Sequence, residues 1–397
     1  MKIVYDFRKY DGVIGGVEQG VIQIVKYLTS IGEYVIILCK TKRIEDVKNI
    51  FPENQHLKII PLDVTTHSIS LKNARVDSTI IQDIALSENA DIIHFFYNWS
   101  FPFFKKVPSL LTVHDVIPFT FREAMGFFRN KFLYKPGIRL ACRLNDMIAT
   151  VSDFSKQDII NKVGVSAEKV RVIPNGLREP NPVDKSLEQE LKFRFELEDS
   201  FILNVGGIHE RKNIVRLIHA FSRLVKLHDY SGKLLITGVV SGAPYQGKMK
   251  RICDAAILET SMEKKIVFTG FVSENELDSL FRMAKFLIYP SLYEGFGIPI
   301  LEAMKLNLPV ITSNLTAMPE VASDVAYLVN PNSIEEMTTA MFTFLNDENL
   351  RKEMKQNGVK RAQSYTWQNT SEMYMRLYKE VIKIKDKSVS HSKLCTK

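Results

Sequence analysis

Short apolar, β-branched runs recur along the first half of the chain: Ile3-Val4-Tyr5, Tyr34 to Leu38, Leu57 to Ile60, Asp91 to His94, Leu110 to Val113, Met147 to Thr150 and Val170 to Ile173. Between them lie longer stretches with helical spacing, the first through Val21, Ile24, Val25 and Leu28. Strands this short, alternating with helices, predict a doubly wound parallel sheet. After the turn signal Pro174-Asn175-Gly176, residues 179–199 are charged and contain Pro180 and Pro182, which reads as a linker. The alternation then restarts at Phe201 to Val205 and continues through Leu234 to Gly238, Ile266 to Val272, Phe286 to Tyr289 and Pro309 to Ser313. Helical periods close the chain at 334–345, at 350–362 and from Trp367 to about Ile384, the last with Met373, Leu377, Tyr378 and Val381 as its stripe. The expected fold class is therefore α/β. The expected organisation is a first domain at 1–178, a linker at 179–199, a second domain at 200–364, a final helix at 365–385 and a polar tail at 386–397 that frays.

The 397 residues exceed what one hydrophobic core normally serves, which agrees with two domains. With 45% hydrophobic and 25% charged residues, the chain is not mainly disordered. A formal charge of +8 favours anionic partners without choosing among them. The four cysteines form no C-x-x-C pair, which argues against a zinc site or disulfide framework. The start lacks a signal-peptide pattern and no segment offers eighteen uncharged apolar residues, so the expected setting is cytoplasmic.

Chemistry concentrates after particular strands. Ligands of doubly wound sheets sit at the carboxyl ends of the strands. Gly15 and Gly16 lie between the first strand and its helix, where a phosphate can approach backbone N–H groups, although a tight turn gives the same pattern. His114 follows Val113 at another such end, where packing and functional roles are both open. In the second half, Gly206-Gly207 leads into Arg211-Lys212, a fork of donors beside a compact charge that suits a diphosphate. Cations at a helix start oppose its dipole, and a bound anion would offset that conflict. In Tyr289-Pro290-Ser291-Leu292-Tyr293-Glu294-Gly295-Phe296-Gly297-Ile298-Pro299, proline stops a strand, two glycines turn the chain, and Pro299 opens a helix with Glu302 in its first turn. Glu294 and Glu302 would stand about 12 Å apart along one continuous helix, and the Gly-Phe-Gly turn can fold that distance back. Two carboxylate acceptors beside free helix N–H groups suit a ligand bearing both hydroxyls and phosphate.

The Glu294-x7-Glu302 spacing with its Glu-Gly-Phe-Gly-Ile-Pro core, Gly206 to Asn213, Gly15-Gly16-Val17, Val113-His114-Asp115, Ile173 to Gly176 and Ser313 to Val321 resemble the retaining nucleotide-sugar glycosyltransferases of glycosyltransferase family 4. The resemblance spans nearly the whole chain. It implies the GT-B fold, two Rossmann-like domains facing across a cleft, with a final helix crossing back to the first. It further implies that Glu302 accepts from the donor ribose and Glu294 from sugar hydroxyls. Arg211, Lys212 and the Gly16 N–H would meet the diphosphate, His114 would lie beside the donor sugar, and the N–H groups of Phe296 and Gly297, beside Gly295, would place it. Glu294 would then position the sugar, with the leaving phosphate oxygen taking the acceptor proton. In the resemblance Arg and Lys usually stand further apart than Arg211 and Lys212 do, so their duties could be exchanged.

Fixed cations and N–H groups favour the leaving diphosphate without a metal, and the chain contains no Asp-x-Asp. No cofactor is expected besides the nucleotide-sugar donor. His209 to Asn213 and Thr312 to Val321 look most like the mannosyltransferase branch, which implies GDP-mannose, with UDP-glucose or UDP-N-acetylglucosamine as alternatives. The acceptor is expected to be a saccharide or lipid-linked saccharide in polysaccharide or glycolipid synthesis. Between 102 and 143, Lys105, Lys106, Arg122, Arg129, Lys131, Lys135, Arg139 and Arg143 interleave with Phe119, Phe121, Phe127, Phe128, Phe132 and Tyr134. That surface can lie on an anionic membrane, as a peripheral protein of its inner face, or its aromatics can pack beneath helices. A catalytically silent sugar-nucleotide-binding subunit is the alternative from another class. The absence of a basic stripe or nucleic-acid motif argues against nucleic acid as a partner.

Overall fold

The computed structural model describes residues 1–64, 70–122, 125–197, 200–239 and 243–394, with side chains described through residue 384. It divides into two compact units. One comprises Met1–Phe119, Phe127–Gly176 and Thr366–Lys397; the other comprises Thr120–Gly126 and Leu177–Tyr365.

The first unit is built on β1 (Lys2–Asp6), β2 (Tyr34–Lys40), β3 (Leu57–Leu62), β4 (Ile92–Phe95), β5 (Ser109–Thr112), β6 (Met147–Thr150) and β7 (Val170–Val172). They form one sheet in the order β3-β2-β1-β4-β5-β6-β7. Every pairing is parallel, with Tyr5 opposite Ile37 on one side and His94 on the other. The central strands are covered on both faces and are apolar there: Ile3, Val4, Ile36, Ile37, Ile92 and Ile93 are fully buried. Val21, Ile24, Val25 and Leu28 of the helix Gly16–Ser30 join this core, as the apolar spacing predicts.

The last helix, Trp367–Leu394, belongs to the same unit and places Tyr374, Met375, Leu377, Tyr378 and Val381 in its core. Burying an apolar side chain of that size contributes about 1.5–3 kcal/mol, so these five hold the helix firmly. The helix runs ten residues past the predicted end near Ile384, through most of the stretch expected as a frayed tail; residues 395–397 lie outside the described residues. Beneath it, the Tyr378 hydroxyl meets His94 Nδ1 at 2.8 Å and also bonds the Tyr5 hydroxyl, while His94 Nε2 meets Thr112 Oγ1 at 2.8 Å.

The second unit carries β8 (Phe201–Val205), β9 (Lys233–Thr237), β10 (Ile266–Gly270), β11 (Leu287–Tyr289), β12 (Val310–Ser313) and β13 (Tyr327–Val329), ordered β10-β9-β8-β11-β12-β13 and again all parallel. β13 is absent from the predicted pattern because three residues at a sheet edge, two of them incompletely buried, leave little periodic signal. The stretch 179–199, read as a linker, contains the helix Lys185–Arg194, started by Asp184, whose carboxylate accepts from the N–H groups of Ser186 and Leu187. Its Leu191 is fully buried, and Arg194 pairs with Glu276 Oε1 at 2.5 Å, so this helix is part of the second unit. A single apolar anchor on a charged helix is too weak a pattern to read from spacing.

Candidate functional site

In the second sheet the strand order reverses between β8 and β11, and it is there that a doubly wound sheet binds its ligands. The loops leaving these two strands carry the chemistry. After β8, Gly206 and Gly207 adopt φ of +122° and +74°, and a Cβ on Gly206 would stand 2.7 Å from Lys212 Nζ. Glycine therefore leaves the space that the lysine head fills. Asn213, left-handed at φ +62°, starts the helix Ile214–His228, and its amide donates to the carbonyls of Pro290 at 3.2 Å and Pro331 at 2.6 Å. The Leu292 N–H donates to the Arg211 carbonyl at 2.6 Å, tying the two loops together.

Their side chains converge on one carboxylate oxygen. Arg211 Nη1 lies 2.7 Å and Lys212 Nζ 2.8 Å from Glu294 Oε1. Lys212 is only 7% exposed and Glu294 8%. The lysine also bonds the Tyr289 hydroxyl and sits 4.5 Å from the centre of that ring. Burial pushes the Glu294 carboxyl up, but Lys212 and then Arg211 outweigh it and hold it below the usual carboxylate range. The Glu294 N–H donates to Thr316 Oγ1 at 3.1 Å. Adjacent Arg211 and Lys212 thus share one carboxylate oxygen.

Gly297, at φ +102°, precedes the helix Ile298–Lys305, with Pro299 in its first turn. The helix begins one residue before the expected Pro299, so Glu302 is its fifth residue and lies beyond the first turn. The Phe296 side chain is buried edge-on against Tyr365, 5.8 Å between centres. Glu302 has its own partner: Arg178 Nε stands 3.4 Å from Glu302 Oε1. Burial raises the Glu302 carboxyl and Arg178 opposes it, yet Asp278 and Glu274 push the same way as burial and the net direction is upward. Sequence reasoning named neither Arg178, read as the last residue of the first domain, nor Asp278, nor the hydroxyl of Tyr289. Asp278 did leave a signal: it stands three residues before Phe281, on the buried face of the helix Glu274–Met283.

The remaining expected residues belong to the first unit. Gly15 and Gly16 are exposed, Gly16 being the first residue of its helix. Glu18 accepts from the Gly15 N–H at 3.1 Å and from the Tyr97 hydroxyl at 3.0 Å. His114 follows β5, its ring 5.4 Å from that of Phe96. Burial lowers its pKa to about 4 against a hydrogen bond with the Phe96 backbone, so the imidazole is neutral at ordinary pH. Among the described residues its Nε2 is enclosed yet has no hydrogen-bond partner. Among the described residues no cluster of His, Cys, Asp and Glu could hold a metal ion.

Family models agree with this architecture. Residues 14–178 match the model described as Glycosyltransferase Family 4, and residues 187–361 match Glycosyl transferases group 1. The chain belongs to these glycosyltransferases, and its two parallel-sheet units are those of the GT-B fold. The serotype-specific mannosyltransferase WbdA of Escherichia coli is 29% identical over 313 residues, 74% of this chain; the chain spans 37% of that protein, little more than a third. The O-antigen chain mannosyltransferase B of Escherichia coli is 27% identical over 380 residues, covering 89% of this chain and 97% of that one. Among solved structures, Anabaena Alr3699/HepE in complex with UDP and glucose superposes with a TM-score of 0.73 at 17% identity, covering 96% of this chain and 100% of the other.

Proposed function

We propose that the chain is a retaining, metal-independent hexosyltransferase that moves mannose from GDP-mannose to a saccharide or lipid-linked saccharide. The observation that carries this reading is the buried Glu294 carboxylate between Arg211 and Lys212 at the reversal of the second sheet. Two clustered cations with a hydroxyl-accepting carboxylate match a diphosphate joined to a sugar. As the bond from C1 to the phosphate oxygen breaks, negative charge gathers on the leaving diphosphate, where Arg211 and Lys212 stabilise it without a metal ion. Glu294 and the turn Gly295-Phe296-Gly297 hold the sugar, Glu302 accepts from the ribose, and the leaving phosphate oxygen takes the acceptor proton. From the first unit, neutral His114 offers Nε2 to the donor sugar, and Gly15 and Gly16 offer backbone to phosphate.

Mannose is favoured because the two Escherichia coli relatives are mannosyltransferases by name. A UDP-sugar is the second reading, since HepE was solved with UDP and glucose. An acceptor carried on the inner face of a membrane agrees with Phe127, Phe128 and Phe132, which are 47%, 74% and 59% exposed, and with Lys131 between them. Among the described residues no helix is long and apolar enough to cross a membrane.

Thermal melting with GDP-mannose, UDP-glucose and UDP-N-acetylglucosamine identifies the donor, because a ligand bound only by the folded state raises the melting temperature. Transfer to a lipid-linked saccharide in the presence of EDTA, with the anomeric configuration read by NMR, then tests the reaction. Indifference to all three donors, or equal turnover by wild type, Glu294→Ala and Lys212→Ala, overturns the reading. Binding to anionic vesicles that is lost in high salt is the expected result for the aromatic and basic face.

A further inference from the structure

We propose that Arg178, locked by Asp278, is a positioning residue that holds the Glu302 carboxylate in place as the acceptor for the donor ribose. The proposal rests on the assignment of Glu302 to the ribose made above. Arg178 commits both terminal nitrogens to Asp278, Nη1 to Oδ2 at 2.8 Å and Nη2 to Oδ1, which fixes the plane of the guanidinium. Only Nε then remains to face Glu302, at 3.4 Å. Asp278 is itself immobilised: it is fully buried, and its Oδ2 also accepts from the N–H of Asn181 at 2.8 Å and from its side-chain amide at 2.9 Å. Lys305, one turn beyond Glu302 on the same helix, donates to the Arg178 carbonyl at 3.0 Å. The arginine is thus held from the helix Glu274–Met283 and from the helix that carries Glu302.

A purely structural Arg–Asp pair has no need of a third charged group. Glu302 does need the arginine. The charged groups acting on Glu302 are Arg178, which favours its ionised form, and Asp278 and Glu274, which with burial favour the neutral one. Remove Arg178, and the carboxyl shifts further toward a protonated state with less capacity to accept from a diol.

GDP and UDP are titrated by calorimetry into wild type, Glu302→Gln, Arg178→Met and the double variant at pH 6.5 and 8.5. Arg178→Met is expected to weaken binding of the nucleotide that wild type prefers by about tenfold at pH 6.5, and by less at pH 8.5, where Glu302 re-ionises. The double variant should bind no more weakly than Glu302→Gln alone, and Arg178→Lys should recover part of the loss. Asp278→Asn, which frees the fork, should reproduce the loss if Arg178→Met fails to fold. Wild-type affinity in Arg178→Met, an equal loss at both pH values, or losses that multiply in the double variant overturn the proposal. Wild type that binds neither nucleotide overturns the transferase reading instead, whereas an effect of Glu302→Gln without one of Arg178→Met sinks only the positioning role.

Discussion

Lys212→Met keeps the aliphatic stem and removes one of the two cations on Glu294. At 2.8 Å the gross attraction between Nζ and Oε1 is about 6 kcal/mol for an effective dielectric near 20. Most of that is cancelled by the cost of taking both charges out of water, and breaking a buried pair outright typically costs about 3–5 kcal/mol. Here Arg211 remains at 2.7 Å, so the expected loss is about 2 kcal/mol. For a unit of this size that is roughly 4–8 °C of melting temperature.

The pH dependence distinguishes this cause from simple loss of packing. Glu294 has a depressed folded pKa in wild type, so its stabilising contribution is present above the unfolded carboxylate value, about 4.3, and is lost as pH falls through the lower folded value. In Lys212→Met burial dominates, the carboxyl protonates earlier, and the penalty for its charge disappears first. The melting difference between the two proteins should therefore be full at pH 7 and visibly smaller at pH 4.5 in a fluorimetric melt. An unchanged difference at pH 4.5, or none at pH 7, would falsify the electrostatic account.

His114→Ala is expected to lower transfer roughly tenfold or more while removing no paired Nε2 bond. Because wild-type His114 titrates near 4, the unfolded chain takes up a proton at about 6.5 that the folded one does not; wild-type stability should fall between these values relative to His114→Ala, as followed by urea melts. In Gly238→Ala the new Cβ would lie 2.3 Å from the Gly207 Cα and N, at a φ of +135°, so chemical denaturation should show a loss above about 3 kcal/mol. Tyr378→Phe leaves His94 Nδ1 and the Tyr5 hydroxyl without a buried partner; about 1–3 kcal/mol of stability should be lost in the same assay.

The fold was legible because parallel strands are buried on both faces. Ile3-Val4-Tyr5 and Tyr34 to Leu38 became the apolar centres of β1 and β2, and among the described residues twelve of the thirteen strands have such a run. What was illegible had weak local cause. β13 is three residues at an edge, and the helix Lys185–Arg194 owes its place to Asp184 at its start, a buried Leu191 and an ion pair reaching Glu276, 82 positions away. No window of a dozen residues contains that pairing.

The site divides in the same way. Gly206, Lys212, Glu294 and Gly297 stand in local patterns, a glycine beside a charge or a proline beside a turn, and the reversal between β8 and β11 brings their loops together. Arg178 stands 100 positions from Asp278 and 124 from Glu302, so only the folded second unit makes it part of the site. The two glutamates carry the consequence. They are alike in sequence and eight residues apart, yet buried Glu294 is drawn down by two cations while half-buried Glu302 is pushed up past the single arginine that faces it. Spacing set the pair; the charges that arrive from distant loops set their protonation, and with it which of the two first stops accepting hydrogen bonds as the medium becomes acidic.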